Sequence, residues 1–169
     1  MRILFFAVFF LAQTLCAEPS KAVAVINSKN DSKVTGLVTF TQEKNGVRVE
    51  ASLEGLSPGK HGFHIHEYGD CSSKDATSAG GHFNPFQQKH GCPKSYPYHV
   101  GDMGNIKADR NGKAKLNKVF SHLKLRGPSS IIGRAVIVHA KEDDCTSQPT
   151  GNAGKRLGCG VIGWAQASK

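Results

Sequence analysis

The chain has 169 residues, 19 of them glycine, and a formal charge of +9. That length fits one domain, large enough to bury a core of its own. A basic balance can serve nucleic acids or other polyanions, but Lys29, Lys33, Lys44, Lys107, Lys113, Lys115, Lys118 and Lys124 are scattered, without an arginine-rich tract or interleaved aromatics. A solvated cationic surface is therefore expected, and no specific nucleic-acid partner.

Met1-Arg2 precedes an apolar run from Ile3 to Ala12. The run is too short to span a bilayer and fits a cleaved secretory leader, expected at residues 1–17. Leu15-Cys16-Ala17 resembles a small-residue cleavage site, which puts the mature domain at 18–169 with Glu18 near its start. Loss of Arg2 leaves +8. A lipidated Cys16 is the weaker alternative, because Leu15 is bulkier than the small residue expected before it. No membrane association is expected after cleavage.

Short alternating runs follow, separated by turn signals. Ala22 to Ile26 and Val34 to Phe40 predict two strands. The turn Lys44-Asn45-Gly46, whose Asn-Gly pair supplies a positive φ, leads to a third with Val47, Val49, Ala51 and Leu53 on one face. After Pro58-Gly59 a strand runs through Phe63 and Ile65. Alternation puts His64 and His66 on one face of it and Phe63 and Ile65 on the other. Asp109-Arg110-Asn111-Gly112 joins Asn105–Ala108 to Lys113–Phe120, and Ile131–His139 and Gly160–Ala165 complete about eight strands, as in a sandwich or barrel. There are no repeats and no linker. Segments 67–102 and 140–159 are long and irregular, and loops of that length inside a compact domain usually carry function.

Five cysteines become four when Cys16 leaves with the leader: Cys71, Cys92, Cys145 and Cys159. Export permits disulfides, and the absence of a Cys-x-x-Cys pair disfavours thiolate zinc. Three pairings are open.

The histidines carry the chemistry. His61, His64, His66, His82, His90 and His99 fall between residues 61 and 102, and His139 follows the apolar run Ala135–Val138. Imidazole suits zinc and copper. His64 and His66 form two corners of a metal site on one strand face. His82, His90, His99 and Asp102 come from one loop, and three imidazoles with one carboxylate make a closed tetrahedral set that suits zinc. A lone histidine is more often structural than a ligand, but this many donors with an aspartate exceed what one ion can use, so two metals are expected.

On Gly62-Phe63-His64-Ile65-His66-Glu67, Ser78-Ala79-Gly80-Gly81-His82-Phe83-Asn84-Pro85, His99-Val100-Gly101-Asp102, Gly133–His139 and Gly151–Gly163, in that order, the chain resembles the copper/zinc superoxide dismutases. The resemblance implies an all-β, eight-stranded Greek-key sandwich or barrel, immunoglobulin-like, with two long active-site loops. It implies copper on His64, His66, His82 and His139 and zinc on His82, His90, His99 and Asp102, one of each per subunit. His82 would bridge the metals and carry the proton of catalysis. Asp143 would hydrogen-bond one histidine of each set, Arg156 would bind superoxide, and Thr150 would form the opposite wall of the channel. His61 would buttress its strand, and His122 is expected on the surface. Cys71 and Cys159 would form the loop-anchoring disulfide. Cys92 then remains two residues after His90, and Cys145 two after Asp143, so a second disulfide is expected to tie the loops together.

The stretch before Arg156 is short and lacks the acidic pair and lysine of longer versions, which leaves Arg156, Lys155, Lys141 and the general positive field to steer the anion. The terminal segment Gly160–Gln166 resembles a dimer contact, with Trp164 as a candidate anchor, so a homodimer is expected. With such a leader an exported protein is expected, in the periplasm first and in the extracellular space as the alternative. Two other readings compete: a metal-binding or chaperone-like relative without complete copper ligands, against which His139 speaks, and a cationic secreted polyanion binder.

Overall fold

The computed structural model describes residues 20–93 and 96–166; the leader, Cys16 and Glu18 lie outside the described residues. Nine strands appear in chain order: β1 (Lys21–Ser28), β2 (Thr35–Glu43), β3 (Gly46–Glu54), β4 (Gly59–His66), β5 (Asp102–Ala108), β6 (Ala114–Phe120), β7 (Ala135–His139), β8 (Arg156–Val161) and β9 (Gly163–Trp164). Among the described residues the one helical element is a 3-10 turn, Thr77–Ala79.

Hydrogen-bonded neighbours run β2-β3-β6-β5-β4-β7-β8-β1, and β1 pairs back onto β2. Eight antiparallel strands thus close into a barrel, which leaves no open edge. β4, β5 and β6 are consecutive neighbours, while β3 lies beside β6 and β7 beside β4. These are two overlapping Greek keys, made by connections that cross the barrel ends.

Alternation decides what goes inside. Ala22, Ala24 and Ile26 of β1, Val47, Val49, Ala51 and Leu53 of β3, Phe63 and Ile65 of β4, and Val136 and Val138 of β7 all point into one apolar core. On β7 the intervening Ala135 and Ile137 are buried too, in a second cluster with Ala76, Ala79 and Cys159. β4 and β7 are therefore covered on both faces. The outer cover is provided by the loop 67–101, between β4 and β5, and the loop 140–155, between β7 and β8.

Four details depart from the sequence reading. At the β2–β3 hairpin the positive φ belongs to Gly46 (141°) and not to Asn45. Glycine is needed there for space as well, since a Cβ would run into the Phe120 carbonyl. The seventh strand begins at Ala135 rather than Ile131, because Gly133 turns the chain at φ 77° and Ile131 bonds to Lys124 instead. The last strand begins at Arg156 rather than Gly160 and breaks at Ile162, which pairs with Arg134 while β9 returns to β1. His122, expected on the surface, is half-buried. Its ring packs edge-on against Tyr98 at 4.9 Å and Phe120 at 5.8 Å, because the connection after β6 folds back onto the 67–101 loop. Burial lowers its pKa.

Candidate metal centre

His64 and His66 share the outer face of β4, and His139 ends β7 beside them. The ladder is irregular at both places. Register shifts occur between Gly62 and His64 and between Val138 and His139, the kind of bulge that re-aims a side chain. Gly62 makes room for this arrangement. A Cβ there would meet His64, His139 and Ala153.

Loop 67–101 brings the remaining histidines. His82 is docked on β4 through an isolated bridge to His66, and Phe83 N–H donates to the Ile65 carbonyl at 2.9 Å. The outcome is two groups of buried donors, each with its ligand atoms within 4.8 Å of one another: His64, His66, His82 and His139, and His82, His90, His99 and Asp102. His82 belongs to both. A third group, Cys92, Asp143 and Cys145, offers no thiolate, because its cysteines are joined to each other.

Hydrogen bonds to the outer ring nitrogens orient the rings. His66 Nδ1–H donates to the Gly80 carbonyl at 2.9 Å and His139 Nδ1–H to Gly154 at 3.2 Å, which leaves both Nε2 lone pairs facing inward, 3.3 Å apart. His64 Nε2–H donates to Asp143 Oδ2 at 2.7 Å and His90 Nε2–H to Asp143 Oδ1 at 2.9 Å. One carboxylate therefore fixes a ring of each group, as outer partners of metal-bound histidines do. Asp102 Oδ1 lies 2.7 Å from His82 Nδ1 and 3.4 Å from His99 Nδ1, and its Oδ2 accepts the N–H groups of His99 and Gly91.

The inward atoms fit metals. His64 Nδ1 and His82 Nε2 are buried without a hydrogen-bond partner, a cost that an ion removes, while His90 Nδ1 and His99 Nδ1 face the Asp102 carboxylate at 3.1 and 3.4 Å. A tetrahedral ion with ligands at ~2.0–2.1 Å separates them by about 3.3 Å, and several inward pairs already stand near that spacing. The electrostatics agree. Burial holds the His66 and His139 rings well below the usual range, and His82 at about 4. These rings are neutral near pH 7, as ligands must be. Burial pushes His90 down, but hydrogen bonds to Asp102 and Asp143 outweigh it and hold it at about 9. The same partners keep both carboxyls far below the carboxylate range against the pull of burial.

Arg156 begins β8, half-buried beside the first group, and its charge helps lower His66 and His139. Its Nη1 donates to the Ala76 carbonyl at 2.6 Å, and Asn30 Nδ2 donates to its own carbonyl at 3.0 Å. Thr150 lies half-buried in the turn closed by Gly151 N–H to Ser147 O, at 2.7 Å. The structure joins Cys71 to Cys159 and Cys92 to Cys145, with Cα atoms 5.8 and 5.2 Å apart. His61 is outside both groups and bridges the carbonyls of His139 and Ser57, at 2.8 and 2.9 Å.

Residues 34–162 match the family model of copper/zinc superoxide dismutase (SODC). The chain belongs to the copper/zinc superoxide dismutase family. It is 49% identical over 156 residues to a Cu-Zn superoxide dismutase of Paramecium bursaria Chlorella virus 1, covering 88% of this chain and 81% of that protein. It is 45% identical over 159 residues to the extracellular Cu-Zn superoxide dismutase of Onchocerca volvulus, covering 88% and 78%. With that of Brugia pahangi it shares 43% over 150 residues, covering 83% and 74%. Among solved structures, the clock protein EA4 superposes with a TM-score of 0.81 at 43% identity, over 89% of this chain and 98% of that one. Copper/zinc superoxide dismutases are oxidoreductases acting on superoxide, and membership makes copper and zinc the cofactors of the two histidine groups.

Three contributors carried no signal of their own. Asn105 sits in an ordinary strand yet holds the main chain of Asp143. Ala76, at φ 60°, turns its carbonyl toward Arg156. Gly151 lets the chain pass against Asp143.

Proposed function

We propose that the protein disproportionates superoxide outside the cytoplasm: two superoxide anions and two protons give dioxygen and hydrogen peroxide. The observation that carries this reading is His82, a ring shared by both donor groups. His64, His66, His82 and His139 hold copper; His82, His90, His99 and Asp102 hold zinc. Copper supplies a one-electron acceptor and donor, while zinc supplies charge without redox states. His82 then holds a proton at Nε2 as one superoxide is oxidised and releases it to the second as peroxide forms. Arg156 binds the small anion by charge-assisted hydrogen bonds, its guanidinium oriented by Ala76, with Thr150 as the opposite wall. Asp143 keeps the His64 and His90 rings aimed.

Lys141 and Lys155 flank the entrance on exposed, paired backbone: Lys141 N–H donates to Ala153 O and Ala140 N–H to Lys155 O. Their charges, with Arg156, steer superoxide in. A leader at 1–17 followed by the mature domain 18–169 accounts for export, and two disulfides suit an oxidising compartment. The extracellular names of the two nematode relatives favour the extracellular space over the periplasm.

The homodimer would use the outer face of β1, β2 and β8. Val25 pairs with Leu37 across the sheet, and with Val161 they stay exposed at 60%, 46% and 44%. Trp164 stands at the same end of the chain, under the Arg126 guanidinium at 5.0 Å. An exposed apolar row of this kind marks a contact surface.

Metal content and superoxide consumption of the parent and His139→Ala test the reading. Copper and activity are expected to be lost together with zinc retained; full activity in His139→Ala, or loss of zinc alone, refutes it.

A further inference from the structure

Asp143, outside both donor groups, hydrogen-bonds His64 of one and His90 of the other, and it is gripped on all sides. Asn105 on β5 donates Nδ2–H to the Asp143 carbonyl at 2.9 Å and accepts the Asp143 N–H at Oδ1, at 2.8 Å. That amide thus imitates a paired strand and fixes the backbone from which the carboxylate hangs. The Cys145 N–H donates to Asp143 Oδ1 at 2.7 Å, and Cys92 Sγ lies 4.0 Å from Oδ2. Gly151 closes the remaining side, where a Cβ would collide with Oδ1 and with His90 Nε2.

The second disulfide is central to this grip. It joins loop 67–101 to loop 140–155 with Cα atoms 5.2 Å apart. Cys92 is two residues from His90 and Cys145 two from Asp143, so the crosslink fixes the distance across which His90 and Asp143 must meet. Cys145 stands at φ 62°, a backbone state that a non-glycine residue keeps only where its surroundings impose it. In that state its N–H points at the carboxylate.

We propose that Asn105 and the Cys92–Cys145 disulfide form a clamp that positions Asp143 and sets how slowly zinc leaves His82, His90, His99 and Asp102. The clamp rests on the zinc reading of that group. Asp143 takes the outer proton of His90 and so keeps His90 Nδ1 aimed at the ion. With the clamp open, Asp143 swings, His90 turns with it, and a ligand is lost. The Cys71–Cys159 disulfide packs instead with Ala76, Ala79 and Ile137 and makes no hydrogen bond to Asp143.

The test uses the full mature protein loaded with zinc, and measures zinc release into a chromogenic chelator for the parent, Cys92→Ser/Cys145→Ser, Asn105→Ala and the triple variant. Disturbing an outer partner typically changes metal affinity by about 10–100-fold, so release is expected to quicken by that factor in the first two variants. Because both act through Asp143, the triple variant is expected to fall well short of the product of the two effects. Cobalt(II) placed in the zinc group serves as a second readout: its absorption bands are expected to shift in the same variants. Parental release rates and an unchanged cobalt spectrum, even with a lowered melting temperature, would show an ordinary crosslink and overturn the clamp. Fully multiplicative effects would overturn it as well. Asn105→Ala carries the test alone if the serine variant does not fold. A parent that takes up no zinc overturns the metal reading and the clamp with it, whereas a zinc-holding parent with indifferent variants overturns the clamp alone.

Discussion

Zinc uptake by the metal-free protein is expected to expel one proton, and His90 is its source. In the metal-free chain burial pushes the His90 imidazole down, but the Asp102 and Asp143 carboxylates outweigh it and hold the ring at about 9. At pH 7.5 such a group is about 97% protonated. Zinc needs His90 Nδ1 free, so binding displaces that proton. The competition weakens apparent affinity by about 30-fold relative to a pH well above 9. His82, at about 4, has no proton to give. Calorimetry of zinc binding in two buffers of different ionisation enthalpy reads the proton count directly, expected to be about one at pH 7.5 and about half at pH 9. Asp143→Asn removes one of the two carboxylates and is expected to lower the count at pH 7.5. The linked stability has a definite sign. The folded-state pKa of His90 is raised by its hydrogen bonds to Asp102 and Asp143, so its contribution is fully present below pH 6.5 and lost as pH rises through 9. Melting of the metal-free protein is therefore expected to fall across that window. A zinc-binding heat independent of buffer at pH 7.5, with melting flat from pH 6.5 to 9, would refute this account of the His90 environment.

Three further outcomes follow from the packing. Phe63→Ala empties a fully buried core position on the inner face of β4 and should cost about 3–5 kcal/mol in denaturant unfolding, with the metal stoichiometry of the folded protein unchanged. Gly62→Ala places a methyl against His64 and His139, so copper content is expected to fall sharply while zinc stays; equal loss of both would point to general misfolding instead. Lys141→Glu and Lys155→Glu are expected to slow superoxide consumption at low salt, with the difference shrinking as salt rises past about 0.1 M; a deficit independent of salt would remove these lysines from the steering role.

Most of the barrel could be read from the chain, because strands such as β1, β2 and β3 bury a period-2 face and close at a turn. Val47, Val49, Ala51 and Leu53 all point into the core as their spacing predicts. The terminal strand was harder. Arg156, Leu157 and Gly158 look like loop until the β7 ladder pairs with them, and the break at Ile162 depends on Arg134, a partner distant in sequence. His122 illustrates the same limit: its burial comes from Tyr98 across the fold, and no local pattern announces that. At the site, histidine spacing was enough to propose two donor groups, since imidazoles are scarce and meaningful. Asn105 was invisible because asparagine in a strand signals nothing until the main chain of Asp143 arrives opposite it.

The arrangement also explains why loops 67–101 and 140–155 are ordered without much apolar packing of their own. β4 and β7 bring His64, His66 and His139 on rigid, paired backbone, while His82, His90 and His99 come from a segment that has, among its described residues, one 3-10 turn and no strand. That loop is held by the Cys71–Cys159 and Cys92–Cys145 crosslinks and by hydrogen bonds such as Lys29 Nζ to the Cys71 and Ser73 carbonyls. The crosslinks hold the loop, and through Cys145 the Asp143 carboxylate, in place; Asp143, Gly80 and Gly154 then orient the rings one hydrogen bond at a time. His64 Nδ1 and His82 Nε2 stay buried and unpaired as a result, so the loop stores its cost at the atoms proposed to meet the ions. Binding an ion and ordering the loop are then one equilibrium: whatever loosens the loop weakens the metal, and whatever removes the metal loosens the loop.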